Sequence, residues 1–213
     1  MNLILFGPPG AGKGTQAQYI VKKHNYFQLS TGDLLRNEIN KETPLGIKIE
    51  KIVSSGDFVL DELVNPLLVE ALSNKNNNNG IIFDGYPRNL SQAKNLQNIL
   101  KKQNQKVDAV IFLNVSREII QKRILGRITC EICNITLNEF FNQVEIEKHA
   151  CGKDRLKRRK DDNEEIVITR YDTYMKKTKP VLDFYSLYQG FQEIDGSMEI
   201  TAIQGKIDQI LNV

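Results

Sequence analysis

Four glycines and a lysine within eight residues, directly after a short apolar run, constrain this chain more than any other feature. Leu3-Ile4-Leu5-Phe6 leads into Gly7-Pro8-Pro9-Gly10-Ala11-Gly12-Lys13-Gly14, and Thr15 to Ile20 then takes up a helical pattern. A strand, a glycine-rich turn and a helix start together make a cradle for an anion. Successive backbone N–H groups point inward, the helix N-terminus adds positive potential, and Lys13 brings a mobile full charge. The general phosphate-loop pattern asks for Ser or Thr directly after the lysine. Here Gly14 takes that place and Thr15 follows one residue later, so the strict motif is not met, although the curled main chain and a hydroxyl remain. The expected ligand is a nucleotide polyphosphate.

The opening theme of apolar run, turn and helix recurs. Leu3 to Phe6, Gly80-Ile81-Ile82-Phe83 and Ala109-Val110-Ile111-Phe112-Leu113 all lack polar alternation, as expected of strands covered on both faces by helices in a parallel sheet. Tyr26-Phe27-Gln28-Leu29 and Phe191-Gln192-Glu193-Ile194 read as further strands. The fold expectation is therefore a doubly wound α/β domain with ligand groups at the carboxyl ends of the strands. Residues 30–59 read as a helical insert, opened by Ser30 and Asp33 at capping-box spacing and broken at Pro44 and Gly56. The asparagine tract from Ser73 to Gly80 reads as an exposed loop. From Arg127 to Asp162 the composition shifts to a second small insert with three cysteines and the charge run Lys157-Arg158-Arg159-Lys160-Asp161-Asp162. Long helical patterns resume from Val167 to Leu187, and Ile200 to Leu211 reads as a terminal helix.

Length and charge narrow the class. A chain of 213 residues with 40% apolar composition can bury one main core with a small appendage. Its 29 basic and 26 acidic side chains leave a formal +3, a mixed surface that argues against a general nucleic-acid binder. The N-terminal apolar run lacks a basic flank and stops at Gly7, which points away from a signal or membrane segment and toward a cytoplasmic protein.

Three groups of side chains can carry chemistry. Asp84, at the end of Ile81-Ile82-Phe83, can hold waters around Mg2+ or simply cap its loop. Arg36, Arg88, Arg123, Arg127, Arg159 and Arg170 are candidates for aligning phosphates, because a guanidinium donates bidentate bonds and stays protonated. Composition alone does not separate them from Arg117, Arg155 or Arg158. Cys130-x2-Cys133 and Cys151-x2-Asp154 form two half-sites separated by seventeen residues, the pattern of a closed tetrahedral Zn2+ site with Asp154 as the fourth ligand. Unligated thiols are the bland alternative, and His149 is a less well spaced substitute ligand.

Taken in order, Gly7 to Gln16, Ser30-Thr31-Gly32-Asp33-Leu34-Leu35-Arg36, Asp84-Gly85-Tyr86-Pro87-Arg88, Gly126-Arg127 and Arg159-Lys160-Asp161-Asp162-Asn163-Glu164 resemble the adenylate kinase family, in its long form with a zinc-bearing lid. The resemblance implies a P-loop nucleoside monophosphate kinase core with a parallel sheet, formed by residues 1–29, 60–126 and 163–213, an AMP-binding insert at 30–59 and a lid at 127–162. It further implies reversible transfer, MgATP plus AMP giving two ADP, in a monomer with no nucleic-acid or membrane partner. Gly10, Ala11, Gly12, Lys13, Gly14 and Thr15 would hold ATP together with Arg123, Arg127 and the backbone carbonyl of Met198. Thr31, Arg36, Val59, Gly85, Arg88 and Gln92 would contact AMP, with Arg36 and Arg88 on its phosphate. Lys13 would follow the transferred group, and Arg159 and Arg170 would bridge the phosphates after the lid closes. Asp161 and Asp162 would serve as hinge contacts or orient the arginines. Two positions depart from the family pattern: Leu137, where an aromatic residue is common, and Met198, where a lysine is frequent.

Rival readings use the same residues. A GTP:AMP phosphotransferase fits the architecture, and Asn89 resembles a UMP/CMP kinase, although Thr31 and Gln92 suit AMP. A zinc-ribbon nucleic-acid binder fits the knuckles but not the neutralised basic run or the scarcity of interleaved aromatics.

Overall fold

The computed structural model describes residues 1–73, 79–159 and 162–211. The expected loop at 74–78, and Lys160 and Asp161 of the charge run, lie outside the described residues.

The chain runs β1 (Asn2–Phe6), α1 (Lys13–His24), β2 (Phe27–Ser30), α2 (Thr31–Asn40), α3 (Pro44–Ser54), α4 (Asp61–Ser73), β3 (Ile81–Asp84), α5 (Leu90–Lys102), β4 (Ala109–Asn114) and α6 (Arg117–Leu125). It continues through β5 (Arg127–Cys130), β6 (Thr136–Asn138), α7 (Gln143–Glu147), β7 (Leu156–Lys157), α8 (Glu164–Thr173), α9 (Lys179–Ser186), β8 (Phe191–Asp195) and α10 (Ile200–Leu211). A π-helical turn, Tyr174–Thr178, joins α8 to α9.

Five parallel strands form the main sheet in the order β2-β3-β1-β4-β8. The chain leaves β1 toward one edge for β2 and β3, then crosses to the other side for β4 and β8. The carboxyl end of β1 therefore lies where the winding reverses, the usual place for a ligand crevice in an open α/β sheet. The register sets the neighbours of that point: Leu5 is level with Asp84, and Asp84 with Ser30.

The missing polar alternation has a direct cause. Ile4, Phe6, Ile81, Phe83 and Val110 join one core with Leu35, Ile49, Val64, Leu68, Leu96 and Tyr185 from α2 to α5 and α9. Leu3, Leu5, Ile82, Ile111 and Leu113 join the other with Ala17, Ile20, Ile120, Val167, Ile203 and Ile207. Both faces of each central strand are dry, and each such side chain contributes about 1.5–3 kcal/mol of burial.

Helix starts follow cap chemistry. Ser30 Oγ accepts from the Asp33 N–H at 3.2 Å, Thr43 Oγ1 from Gly46 at 3.0 Å with Pro44 at the first turn, Asn89 Oδ1 from Gln92 at 2.8 Å, and Asn163 Oδ1 from Ile166 at 2.9 Å. The capping box at Ser30 is one-sided, because the Asp33 carboxylate turns to Arg36. Far from the glycine turn, α1 is clasped to α10: Tyr19, Lys23 and His24 all converge on Asp208, at 2.8–2.9 Å. This fixes the helix whose first residue is Lys13.

Beyond α6 a separate three-stranded antiparallel sheet, β6-β5-β7, carries the cysteines. At its root the Arg127 guanidinium donates to Asp162, through Nε at 2.7 Å, and Asp162 is buried.

Candidate active site

The glycine turn folds as its composition demands. Gly10 and Gly12 adopt φ of 80° and 95°, the left-handed region that a side chain resists, and a Cβ on Gly10 would meet Ile124 at 2.7 Å. The turn closes through Ala11 N–H to Pro8 O at 3.1 Å. Lys13, half-buried at the start of α1, donates from Nζ to Gly7 O at 2.7 Å and Pro8 O at 3.0 Å. Its ammonium thus rests inside the loop that it would help fill with phosphate. Burial pushes Lys13 down to about 8; nearby Asp84 opposes that push, and Arg88, Arg170 and Arg127 add to it.

Beside this turn, at the ends of β1 and β3, opens a cleft. Lys13, Arg36, Arg88 and Arg170 all line it, with apolar walls from Leu35, Val59 and Tyr86. Arg88 follows β3: its Nε donates to Gly85 O at 2.7 Å, and Thr178 Oγ1 donates to the Arg88 carbonyl at 3.0 Å. Burial and then the like charge of Arg170 bring its guanidinium down to about 10, still charged at neutral pH. Asp84 accepts from Gln28 Nε2 at 3.1 Å, and desolvation raises its pKa although Lys13 stabilises the carboxylate. Asp33 is shifted the other way. Its burial alone would raise it, but Arg36 beside it, with a weaker contribution from Arg159, holds it below the usual range.

Thr31 and Gln92 sit just behind the cleft. Thr31 Oγ1 donates to Gly85 O at 2.8 Å. The Gln92 amide is held at both ends: Oε1 accepts from the Arg88 N–H at 2.7 Å, and Nε2 donates to Asp61 Oδ1 at 2.6 Å. Asn89 Nδ2 donates to the same carboxylate at 3.0 Å. A carboxylate can only accept and a backbone N–H can only donate, so Asp61 and Arg88 together dictate which way the Gln92 amide faces.

On the opposite side of the glycine turn, Arg123 Nη1 donates to Ala11 O at 3.3 Å and Nη2 to Gly196 O at 2.8 Å. It joins the turn to the β8–α10 connection, where Met198 is half-buried. Arg127 is engaged by Asp162 rather than directed at the cleft, and the charge of Arg159, two residues past β7, reaches Asp33 beside Arg36.

The metal half-sites are brought together, with one correction. The ligand atoms of Cys130, Cys133, His149 and Cys151 all lie within 4.8 Å of one another. Asp154 does not belong to this group; it is exposed in a short 3-10 turn and faces Arg155 at 3.3 Å. The reason is local. Gly152 N–H bonds to His149 O at 2.9 Å, closing a turn that swings His149 toward Cys133, with Nε2 to Sγ at 3.8 Å. Counting from Cys151 forward therefore picked the wrong neighbour. Three sulfurs and an imidazole nitrogen at this spacing fit a closed tetrahedral Zn2+ site, with Zn–S of about 2.3 Å and Zn–N of about 2.0–2.1 Å. Four protein donors leave no open position, so the role that fits is structural.

Cations crowd the cleft and a general base is not prominent among them. That balance suits phosphoryl transfer, in which aligning two anions and absorbing charge outweigh proton abstraction. With this sheet order and glycine turn, it defines a P-loop nucleoside monophosphate kinase. The family model described as "Adenylate kinase" matches residues 5–189. "Adenylate kinase" of Pelagibacter ubique (strain HTCC1062) is 64% identical over 213 residues, 100% of each chain. Proteins of the same description from Novosphingobium aromaticivorans, at 42% identity over 99% of each chain, and Fusobacterium nucleatum subsp. nucleatum, at 43% over 99% of this chain and 98% of that one, match along the same length. The chain belongs to the adenylate kinase family.

Proposed function

We propose that this enzyme carries out MgATP + AMP = MgADP + ADP with the acceptor in the cleft beside the glycine turn and the donor along Arg123. The observation that carries the proposal is the convergence of Lys13, Arg36, Arg88 and Arg170 on one cleft at the winding reversal of the sheet. Arg36 and Arg88 grip the AMP phosphate, Val59, Gly85 and Thr31 shape its pocket, and Gln92 reads its base. The amides of Gly10 to Thr15 hold the ATP phosphates, Lys13 moves with the transferred group, and Arg123 and Arg127 take the donor side. Arg159 and Arg170 complete the cage around the transferring phosphoryl. Mg2+, when bound with ATP, draws charge from the phosphate oxygens; Asp84 is the carboxylate placed to hold its waters.

The three-part division follows: a core, an AMP-binding insert at 30–59 and a lid at 127–162. Adenylate kinase lids are themselves a standard example of closure over substrates. Closing here excludes water, which strengthens the cationic field and prevents loss of the phosphoryl group to solvent. Zn2+ held by Cys130, Cys133, His149 and Cys151 would keep the lid a single stiff piece. No helix among the described residues is long and apolar enough to cross a membrane. The proposed setting is cytoplasmic, where these nucleotides are found, and the proposed state is a monomer.

The test is a coupled assay over all pairs of ATP or GTP with AMP, UMP, CMP or GMP. ATP with AMP is expected to be turned over fastest. Preferred phosphorylation of UMP or CMP, or equal use of GTP, overturns the assignment.

A further inference from the structure

Gathering four cations around one cleft raises a problem of electrostatics. Arg88 must stay ordered and charged next to Arg170, yet any carboxylate that steadied it would also occupy the N–H groups that a phosphate needs. Asp84 supports its charge electrostatically, and the face of the guanidinium packs on an aromatic ring. Arg88 Cζ lies over the ring of Phe58, 5.0 Å from its centroid, and Lys177 Nζ from the π-helical turn lies 5.7 Å from the same centroid. A ring attracts a cation through its negative face and accepts none of the guanidinium's in-plane hydrogen bonds. With Nε already given to Gly85 O, the ring steadies the guanidinium without taking up its remaining N–H groups.

The position of Phe58 in the chain adds a second element. It lies in the turn between α3 and α4, across the cleft from the β3–α5 loop that bears Arg88. Two residues earlier, Gly56 adopts φ of 80° and packs so closely on α8 that a Cβ would meet Thr169 at 3.1 Å and Arg170 Cγ at 3.5 Å. One short turn thus touches the stems or faces of both Arg88 and Arg170.

We propose that Phe58 is a positioning residue for the acceptor phosphate: its ring presets the Arg88 guanidinium, with Lys177 on the same ring, so that the AMP phosphate meets an aligned fork. This rests on the reading that Arg88 grips that phosphate. The role predicts selectivity for the phosphate alone. Binding of AMP is measured by calorimetry and binding of adenosine by competitive inhibition, for wild type, Phe58→Leu and Phe58→Tyr, with the KM for AMP and for ATP alongside. In Phe58→Leu the affinity for AMP falls by about 5- to 10-fold, that for adenosine changes by less than about twofold, and the KM for ATP stays put. Phe58→Tyr, which keeps the ring, restores AMP affinity. Equal losses for AMP and adenosine would reduce Phe58 to a wall of the nucleoside pocket and overturn the proposal, as would unchanged AMP binding in Phe58→Leu or a Tyr variant as weak as the Leu one. A wild-type protein that bound AMP no better than adenosine would refute the phosphate grip itself, and the stacking role would fall with it.

Discussion

Replacing Lys13 by methionine separates what the active site needs from what the fold prefers. Burial brings this lysine from 10.5 to about 8, which corresponds to roughly 3 kcal/mol against the charged form. Methionine removes the buried charge but also the two hydrogen bonds from Nζ to Gly7 O and Pro8 O, whose loss returns about 1–2 kcal/mol. The net expectation is a nucleotide-free variant more stable than wild type by about 1–2 kcal/mol at pH 7, or roughly 2–8 °C in Tm for a chain of this length. The sign depends on pH in a defined way. Between pH 8 and 10.5 the native chain releases the Lys13 proton before the unfolded chain does, so wild-type stability climbs across that window; below pH 8 the full burden of the buried charge is present. The advantage of the variant is therefore widest below pH 8, shrinks as pH rises, and reverses by about pH 10.5, where the lost hydrogen bonds alone leave it about 1–2 kcal/mol less stable than wild type. Thermal melts from pH 6.5 to 10.5 without nucleotide, paired with turnover assays, read both halves. Turnover should fall by about 10² to 10³-fold. A variant that melts below wild type at pH 7, or a gap that does not change with pH, refutes the electrostatic reasoning, and near-normal turnover refutes the role of Lys13 in transfer.

Two further outcomes follow from the geometry. His149→Ala and Cys130→Ser should each weaken Zn2+ retention by at least about tenfold and lower Tm, while Asp154→Ala keeps its metal; elemental analysis and melting decide, and zinc lost from Asp154→Ala but kept by His149→Ala would restore the forward spacing. Asp61→Ala removes the acceptor for Gln92 Nε2 and leaves the Arg88 N–H on Oε1, so the amide is held at one end and presents its base-reading edge less firmly. The ratio of kcat/KM for AMP over GMP should then fall by about tenfold, at the ~1.4 kcal/mol scale of one misplaced buried hydrogen bond, with the KM for ATP unchanged; an unaltered ratio removes Asp61 from base selection.

The parts of the fold legible in the sequence are those written in local chemistry. β1, β3 and β4 announce themselves because both faces of each are dry, and the glycine turn because Gly10 and Gly12 must take left-handed backbone. α10 starts and ends where its pattern does. α4 is less visible: Val64, Leu68 and Leu72 keep a helical period, but Pro66 interrupts the run. The residues that the sequence hid act across the chain. Nothing near Asp61 points to Gln92, nor anything near Phe58 to Arg88, since those contacts exist only after the α3–α4 turn packs against the β3–α5 loop. His149 was hidden by a turn that reverses direction within four residues, a geometry that counting positions does not capture.

Arg123 has a consequence for the chain during its synthesis. One guanidinium spans Ala11 O in the first loop and Gly196 O in the last connection. A ribosome-bound chain that has not yet reached Gly196 possesses the glycine cradle but lacks the opposite support for it. The nascent protein is thus built with its nucleotide grip incomplete until Gly196 is in place, and products truncated before Gly196 should be poor consumers of ATP.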